Sequence, residues 1–384
     1  MSQREIAAHH YATGRPVRVR WDSARITALD SAVAAPSDLW IAPALVDLQI
    51  NGYGGIDFQQ DNLTGDDLLV ALRRLRADGC TRCLFTVITD EWPRMLARLR
   101  QARALRERSP ELQHAVAGWH VEGPFLSAEP GYCGAHDPAR MLDPEPGHLR
   151  ELREAAGADP LLLTLAPERR NAPTIIREAV RLDMRVSLGH TNAPAGLLAD
   201  AIRSGASAFT HLGNGCPRTL DRHDNILWRV LETTGLRVSL IPDGTHVSPP
   251  LFRLVHRLLG AEAIYYTTDA MAAAGTQPGR YRLGRLELDV GEDQVVRLPG
   301  SPNFAGSALR PIDGIFRAAR MLGCSWREVW DRLSTAPATL MSLPSGLSIG
   351  SPADFCLLTI TTDQQLSAIQ VVARGELPPS ASDA

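Results

Sequence analysis

No lysine occurs among the 384 residues, so all 40 basic side chains belong to arginine. A barrel enzyme that works through a lysine Schiff base or a carboxylated lysine is therefore excluded. Long apolar runs are also missing, and no stretch approaches the ~18 residues that a membrane-spanning helix needs. Acidic residues number 43, which leaves a net charge of −3 without any block of one sign. We therefore expect neither a nucleic acid nor a membrane as a partner.

Cysteine is sparse, with six residues scattered along the chain, which is too few for a disulfide scaffold of this size. Cys80 and Cys83 have CxxC spacing, but no second pair accompanies them and a strand follows, so we interpret them as buried thiols. The GxGxxG, GxSxG and P-loop patterns are absent, which argues against the sites those motifs build. No apolar signal core follows the first residues, and a cytoplasmic protein is expected.

Short β-rich apolar runs alternate with amphipathic helical segments along most of the chain. Such alternation indicates a parallel sheet, and eight strands are the number that closes a (β/α)₈ barrel. An open doubly wound sheet is the alternative. The eight strands are predicted at 44–50, 83–88, 115–121, 161–166, 185–189, 207–210, 236–242 and 263–268.

The two ends of the chain differ from this pattern, because they contain short strand candidates such as PVRVRW and DFCLLTI without long helices between them. Both ends flank the predicted barrel, so we expect their strands to pair with each other. The sequence thus predicts an α/β protein with a barrel over residues 44–345. A small β-sandwich domain is predicted from residues 1–43 and 346–384.

Polar residues of the metal-ligand and acid/base types follow seven of the eight predicted strands. Barrel enzymes place their active sites at this end of the strands. The second strand is the exception, because its Asp90 is followed directly by a helix. The strand-end residues are Gln49, Asn51, Glu122, Glu168, His190, His211, Asp243, His246 and Asp269.

Three of these residues, Glu122, His190 and His211, form a candidate metal site. One carboxylate and two imidazoles leave an open position on zinc, which is typical of catalytic sites. The three lie too far apart in sequence for a local motif, so only the barrel would bring them together. A lone histidine is more often a hydrogen-bonded core or surface residue, but three ligand-type residues at strand ends favour a metal.

Asp269 has two interpretations. It could cap a helix in the following AMAAAG segment, which is a common role of aspartate. It could also act as a general base beside the metal, and the other strand-end residues favour this role. His136 and His246 are further donors that could hold a substrate oxygen or an oxyanion.

Several longer motifs occur in a characteristic order. They are APALVDLQINGYGG, GWHVEGPFLS, GAHDP, TLAPE, VSLGHTNA, FTHLGNG, IPDGTHV, TTDAMAAAG and NFAGSAL. Over about residues 41–359 the chain resembles the N-acetylglucosamine-6-phosphate deacetylases of the amidohydrolase superfamily. This resemblance implies a (β/α)₈ barrel with a small β domain built from both termini.

The resemblance also implies roles for single residues. Glu122, His190 and His211 match the metal ligands, Asp269 matches the catalytic acid/base, and His136 matches a histidine that polarises the acetyl carbonyl. Arg222 matches an arginine that reaches the sugar phosphate from the neighbouring subunit of a homodimer. The other positions that match substrate-binding residues are Ala135, Asn214, Gly215, Asp243, Gly244, Thr245, His246, Phe304, Ala305 and Gly306.

The chain departs from the family pattern at two places. Gln49 and Asn51 stand where many amidohydrolases have His-x-His, and neutral amides are poor ligands for such cations. One divalent ion per subunit is therefore expected; zinc is the expected metal, and other divalent transition metals are the alternative. The loop HLGNGCPRTLDRHDN, which contains Arg222, is also unusual.

The expected reaction is hydrolysis of N-acetylglucosamine-6-phosphate to glucosamine-6-phosphate and acetate. The alternatives are a deacetylase for the galactosamine epimer, for an unphosphorylated sugar or for another N-acyl compound. A non-catalytic sugar-binding barrel is a further alternative, although it would be expected to have lost Asp269 or a metal ligand.

Overall fold

The computed structural model describes residues 4–300 and 304–377. Eight parallel strands form one sheet in which each strand pairs with the next along the chain. An isolated parallel bridge between Ile50 and Ala270, just after the eighth strand, joins the two edges of this sheet. The predicted eight-stranded barrel is thus confirmed. Its strands are Leu45–Ile50, Cys80–Ile88, Val116–Glu122, Leu161–Leu165, Met184–Leu188, Ala208–Phe209, Arg237–Leu240 and Ile264–Tyr266.

The helices that separate these strands bury one apolar face against the sheet. In Ala172–Arg181, for example, Ile175, Ile176 and Ala179 are buried. Within the described residues, no helix combines the length and apolarity that a membrane crossing requires. The α-helices are Gly65–Ala77, Trp92–Glu107, Pro110–Ala115, Pro146–Ala156, Ala172–Arg181, Ala195–Arg203, Ile226–Glu232, Pro249–Leu258, Pro311–Leu322, Trp326–Val329 and Thr335–Leu340.

Strands from both ends of the chain meet in a second sheet. The link is Phe355–Ile360, which pairs antiparallel with Leu39–Pro43. The sequence predicted a sandwich here, but the six strands form one continuous sheet. Residues 1–3 and 378–384 of the predicted domain lie outside the described residues. The strands are Arg4–His10, Pro16–Trp21, Ile26–Ser31, Leu39–Pro43, Phe355–Ile360 and Leu366–Val372.

A small antiparallel sheet between the eighth strand and helix Pro311–Leu322 was not predicted. We call residues 279–297 the insert; its strands are Gly279–Leu283, Leu286–Val290 and Val296–Arg297. Its apolar side chains pack against the segment that follows Asp269 and against Ala305. The insert therefore lies next to two of the predicted site segments.

Asp47 is a fully buried carboxylate at the seam of the barrel, and the sequence analysis passed over it. It lies in the first strand and accepts hydrogen bonds from Thr267 Oγ1 (2.5 Å), Thr268 Oγ1 (2.6 Å) and Thr268 N (2.9 Å). A buried carboxylate needs such donors, because removal from water raises its pKa. The only signal in the sequence was one acidic residue inside the apolar run ALVDLQI.

Candidate active site

Four side chains that lie far apart in the sequence converge at the carboxyl ends of the barrel strands. Glu122 ends the third strand, and its Oε1 atom lies 2.8 Å from His211 Nε2 and 3.4 Å from His190 Nε2. Its Oε2 atom lies 3.7 Å from His136 Nε2. The structure therefore brings together the three predicted metal ligands and adds His136 to them. Glu122, His136 and His190 have ligand atoms close enough to share one cation.

The orientation of His190 explains how it could hold a cation. Its Nδ1 atom lies 2.9 Å from the carbonyl oxygen of Tyr132, so Nδ1 carries the proton that is donated to this oxygen. In the neutral ring, Nε2 then presents a lone pair toward Glu122 Oε1. A lone pair that faces a carboxylate oxygen in a buried site needs a proton or a metal cation between them. A backbone partner of this kind typically fixes a metal-binding histidine.

Two glycines allow the His190 ring to occupy this place. A Cβ atom on Gly134 would lie 2.7 Å from Cε1 of the ring, and one on Gly215 would lie 2.8 Å from Nδ1. Both glycines also have positive φ angles, of 59° and 60°. Gly215 was expected to contact the substrate, whereas the sequence predicted no role for Gly134.

The charges within the cluster support one another. Burial opposes ionisation of Glu122, but its interactions with His190 and His211 bring its pKa well below the usual range. Burial likewise acts to lower the pKa of His211, but the hydrogen bond to Glu122 raises it overall. For His136, burial and the nearby His190 lower the pKa to about 3, so the ring is neutral at neutral pH. Neutral imidazole is the form that binds metals.

Asp269 is half-buried and lies close enough to Glu122 and His211 to interact with their charges. Asn51 Nδ2 donates a hydrogen bond of 2.7 Å to its Oδ1 atom. Loss of contact with water and the charge of Glu122 raise the pKa of Asp269 to about 7. The residues after Asp269 form a turn, so there is no helix here for it to cap, and the capping interpretation was wrong.

The backbone is strained at three of these positions. His190, His211 and Asp269 have φ angles of 50°, 33° and 52°, in the left-handed region that residues other than glycine rarely adopt. Each lies two or three residues beyond the end of a barrel strand, where the chain leaves the sheet. Strain of ~1–3 kcal/mol per residue persists where the surroundings impose it, and it is typical of active sites.

Gln49 and Asn51 are the two amides at the end of the first strand. Asn51 is engaged with Asp269, and its own Oδ1 atom is buried without a described partner. Gln49 is buried, and its Nε2 atom likewise has no partner among the described residues.

Glu168 accepts a hydrogen bond of 3.0 Å from Asn192 N and so holds the loop that follows His190.

Two of the predicted substrate-binding segments meet beside the cluster. Asp243 Oδ1 accepts hydrogen bonds of 2.8 Å from the backbone N of Thr245 and His246, and its Oδ2 lies 2.6 Å from His246 Nδ1. The His246 ring lies 5.2 Å from the ring of Phe304. Ala135 packs in the same apolar cluster as Ala305.

Arg222 makes no described contact with the residues of this site. It lies on an exposed loop, where its Nε atom donates to His223 at 3.0 Å. Asn214 is closer, because its Nδ2 atom donates to the carbonyl oxygen of His211 at 3.3 Å. Cys80 and Cys83 lie buried in the second barrel strand as free thiols without a disulfide, as the thiol interpretation predicted.

The chain is similar to several known proteins over most of its length, although no family model matches it. N-acetylglucosamine-6-phosphate deacetylase of Homo sapiens is 31% identical over 351 residues, which cover 88% of this chain and 83% of that protein. N-acetylgalactosamine-6-phosphate deacetylase of Shewanella sp. (strain ANA-3) is 30% identical over 340 residues, or 88% of this chain and 82% of that protein.

A solved structure shows the same architecture. It is a mutant N-acetyl-D-glucosamine-6-phosphate deacetylase from Mycobacterium smegmatis in complex with N-acetyl-D-glucosamine-6-phosphate. It superposes with a TM-score of 0.87 at 29% identity and covers 98% of this chain and 99% of its own. The shared fold, the identity to the human enzyme and the cluster at the barrel mouth lead to one conclusion. This chain belongs to the N-acetylglucosamine-6-phosphate deacetylase family of amidohydrolase-type enzymes.

Proposed function

We propose that this protein hydrolyses the acetamide group of N-acetylglucosamine-6-phosphate to give glucosamine-6-phosphate and acetate. The observation that carries the proposal is the convergence of Glu122, His190 and His211 beside Asp269, whose pKa is about 7. A general acid/base works best when its pKa is near the working pH. The named relatives and the mycobacterial complex support this substrate class.

We propose that Glu122, His190 and His211 hold one divalent ion, with zinc as the expected metal. The lone pair that His190 presents toward Glu122 suits a cation at this position. Gln49 and Asn51 are amides, and Asn51 is already engaged with Asp269, which supports a single ion. When bound, such an ion lowers the pKa of a water molecule toward ~7 and polarises a carbonyl oxygen.

The remaining chemistry falls to side chains of this chain. Asp269 accepts a proton from the attacking water while the new C–O bond forms, and it then returns the proton to the amide nitrogen. The C–N bond breaks, and the amine and acetate leave. Asn51 holds the Asp269 carboxylate in place for both transfers. His136 donates a hydrogen bond to the developing oxyanion, where one donor is typically worth ~3 kcal/mol.

The substrate contacts follow from the family resemblance and remain proposals. The sugar would lie between the loop that includes Asp243 and His246 and the segment that begins at Phe304. Arg222 would reach the phosphate of the neighbouring active site in a homodimer. The cytoplasmic location also remains a prediction of the sequence.

The first experiment is to compare three substrates with metal-loaded protein, with acetate release as the readout. They are N-acetylglucosamine-6-phosphate, its galactosamine epimer and unphosphorylated N-acetylglucosamine. The epimer is included because the Shewanella relative, named for it, is as similar to this chain as the others. Preference for the glucosamine phosphate would support the proposal. Turnover of none of the three would refute it.

A further inference from the structure

The second barrel strand, which lacked a strand-end candidate in the sequence analysis, ends in a cluster of ion pairs. Asp90 follows this strand, and only 6% of its side chain is exposed. Its Oδ2 atom lies 2.9 Å from Arg98 Nη1, and the Arg98 side chain is equally buried. This buried pair fixes the Asp90 carboxylate in one orientation. The other oxygen, Oδ1, accepts a hydrogen bond of 2.8 Å from Glu91 N and faces the segments that follow the third and eighth barrel strands.

Each of two segments contributes an arginine that pairs with Asp90. Arg140 belongs to the segment that carries His136, and its Nη1 lies 3.3 Å from Asp90 Oδ1 and 2.7 Å from Glu91 Oε1. Arg285 belongs to the turn of the insert, and its Nη2 lies 3.2 Å from Asp90 Oδ1 and 3.3 Å from Glu91 Oε1. Two neighbouring carboxylates therefore bind both arginines at once. Removal of either carboxylate would leave the two arginines close together with less compensating charge.

A third carboxylate holds the same turn of the insert through its backbone. Asp57 Oδ2 accepts a hydrogen bond of 2.7 Å from Gly284 N, next to Arg285. Its Oδ1 accepts one of 2.9 Å from Gln59 N, which keeps the Asp57 side chain in place. We call Asp57, Asp90 and Glu91 the carboxylate clasp.

The segments held by the clasp pack together next to the candidate site. The insert packs through Leu283 and Leu288 into an apolar cluster with Met271, which follows Asp269, and with Ala305, which follows Phe304. Ala135, next to His136, packs against the same cluster. A shift of the insert would therefore move two predicted substrate-binding positions, Ala135 and Ala305.

We propose that the carboxylate clasp positions the His136 segment and the insert over the active site, and so determines how well the substrate binds. The clasp residues are positioning residues, because none of them reaches the metal cluster or Asp269. This inference rests on the proposed deacetylase function. A small misplacement of substrate-holding segments can cost a large factor in rate or binding.

The test compares Asp90→Asn with a matched control, Asp61→Asn. Asp61 forms ion pairs with Arg94 and Arg98, on the helix that also carries the arginine paired with Asp90. It contacts neither Arg140 nor Arg285. We expect Asp90→Asn to raise KM for the sugar phosphate about tenfold with unchanged metal content, and to lower kcat as well because the displaced segment carries His136. Asp61→Asn should leave KM as in the wild type.

Hydrogen exchange supplies a readout that does not depend on activity. In Asp90→Asn, peptides from residues 132–140 and from the insert should exchange faster, whereas in Asp61→Asn they should not. Wild-type KM together with wild-type exchange in Asp90→Asn would overturn the inference. A fall in kcat with unchanged KM and unchanged hydrogen exchange would also overturn the inference, because that pattern reports loss of folded enzyme.

A second set of variants guards against misfolding of Asp90→Asn. Glu91 is mostly exposed, so Glu91→Gln should fold normally. We expect Glu91→Gln to raise KM about threefold in the wild type, and to have no further effect when Arg140 and Arg285 are both changed to Gln. Additive effects would refute the clasp. If wild-type protein turns over no substrate, the proposed function fails, and the exchange data alone decide on the clasp.

Discussion

At the scale of single residues, the site depends on side chains whose roles differ by environment rather than by type. Glu122 and Asp269 are both carboxylates at the barrel mouth. Glu122 faces imidazoles, and its pKa lies well below the usual range, whereas desolvation raises that of Asp269 to about 7. Carboxylates with pKa values pushed apart in this way commonly divide binding and acid/base roles between them.

Replacement of Asp269 by Asn separates these two roles. Asp269→Asn should retain the metal, because Asp269 is not among the proposed ligands, and should lose about 10²–10⁴ in kcat, because the amide cannot carry a proton. His211→Ala should instead lose the metal. Metal analysis and acetate release on the same samples check both expectations. Near wild-type turnover by Asp269→Asn would show that another group acts as the acid/base.

The glycines around His190 give a second prediction at this scale. In Gly215→Ala, the new methyl group would lie 2.8 Å from His190 Nδ1 and push the ring from its place. We expect metal affinity to fall about 10–100-fold, as for other changes that disturb the support of a ligand. Gly213→Ala is the matched control, because its φ is also positive but its nearest contact would be 3.5 Å, from Val247. Equal metal affinities in the two variants would contradict this account.

At the scale of elements, helix Pro249–Leu258 is tied to the eighth strand by a neutral histidine. His256 Nδ1 donates to the carbonyl oxygen of Phe252 at 2.7 Å, and Tyr266 Oη donates to His256 Nε2 at 2.8 Å. Both ring nitrogens are thus hydrogen-bonded in the neutral form. Burial lowers the pKa of His256 from 6.5 to about 4.

This arrangement predicts a pH-dependent loss of stability. Between pH ~4 and ~6.5, His256 is protonated in the unfolded chain but neutral in the folded chain. The free energy of unfolding therefore falls as the pH falls through this range. The contribution of His256 should be about 2 kcal/mol, after allowance for its partial exposure. The measurement is the urea midpoint as a function of pH for wild type and His256→Phe. The variant should be less stable at neutral pH but have a shallower pH slope.

A control variant makes the His256 test specific. His223→Phe changes an exposed histidine on the Arg222 loop and should leave the pH slope as in the wild type. Metal release at low pH affects all three proteins alike, so it cancels in the comparison. Parallel curves for His256→Phe and wild type would show that the histidine carries no proton linkage.

At the scale of the whole molecule, the position of Arg222 on an exposed loop gives the homodimer proposal a test. We propose that the barrel over residues 44–345 pairs with a second copy so that each Arg222 serves the other active site. Arg222→Gln and Asp269→Asn should each be nearly inactive alone. Co-expressed, the two should recover about a quarter of wild-type activity, because half of the dimers would contain one intact site.

The control for this complementation places both changes in one subunit. Co-expression of the Arg222→Gln, Asp269→Asn double variant with Arg222→Gln can form no intact site in trans and should stay inactive. No recovery in the first mixture would show that Arg222 does not act across subunits.

The sequence alone was sufficient for the order and type of the barrel elements. Each barrel strand is a short apolar run bounded by a helix signal, and periodicity of this kind is a local property. The strand-end positions of Glu122, His190, His211 and Asp269 followed from the same pattern, because a parallel barrel gathers the carboxyl ends of its strands at one edge. Asn51 was also identified at a strand end, but its hydrogen bond to Asp269 was not predicted.

Other features arose only when distant segments packed together. The bond between Asn51 and Asp269, the fit of His190 between Gly134 and Gly215, and the clasp at Asp90 join residues far apart in the chain. The insert was missed because its short strands are stabilised by packing against Met271 and Ala305 rather than by their own pattern. Such contacts depend on tertiary geometry, which local patterns do not encode.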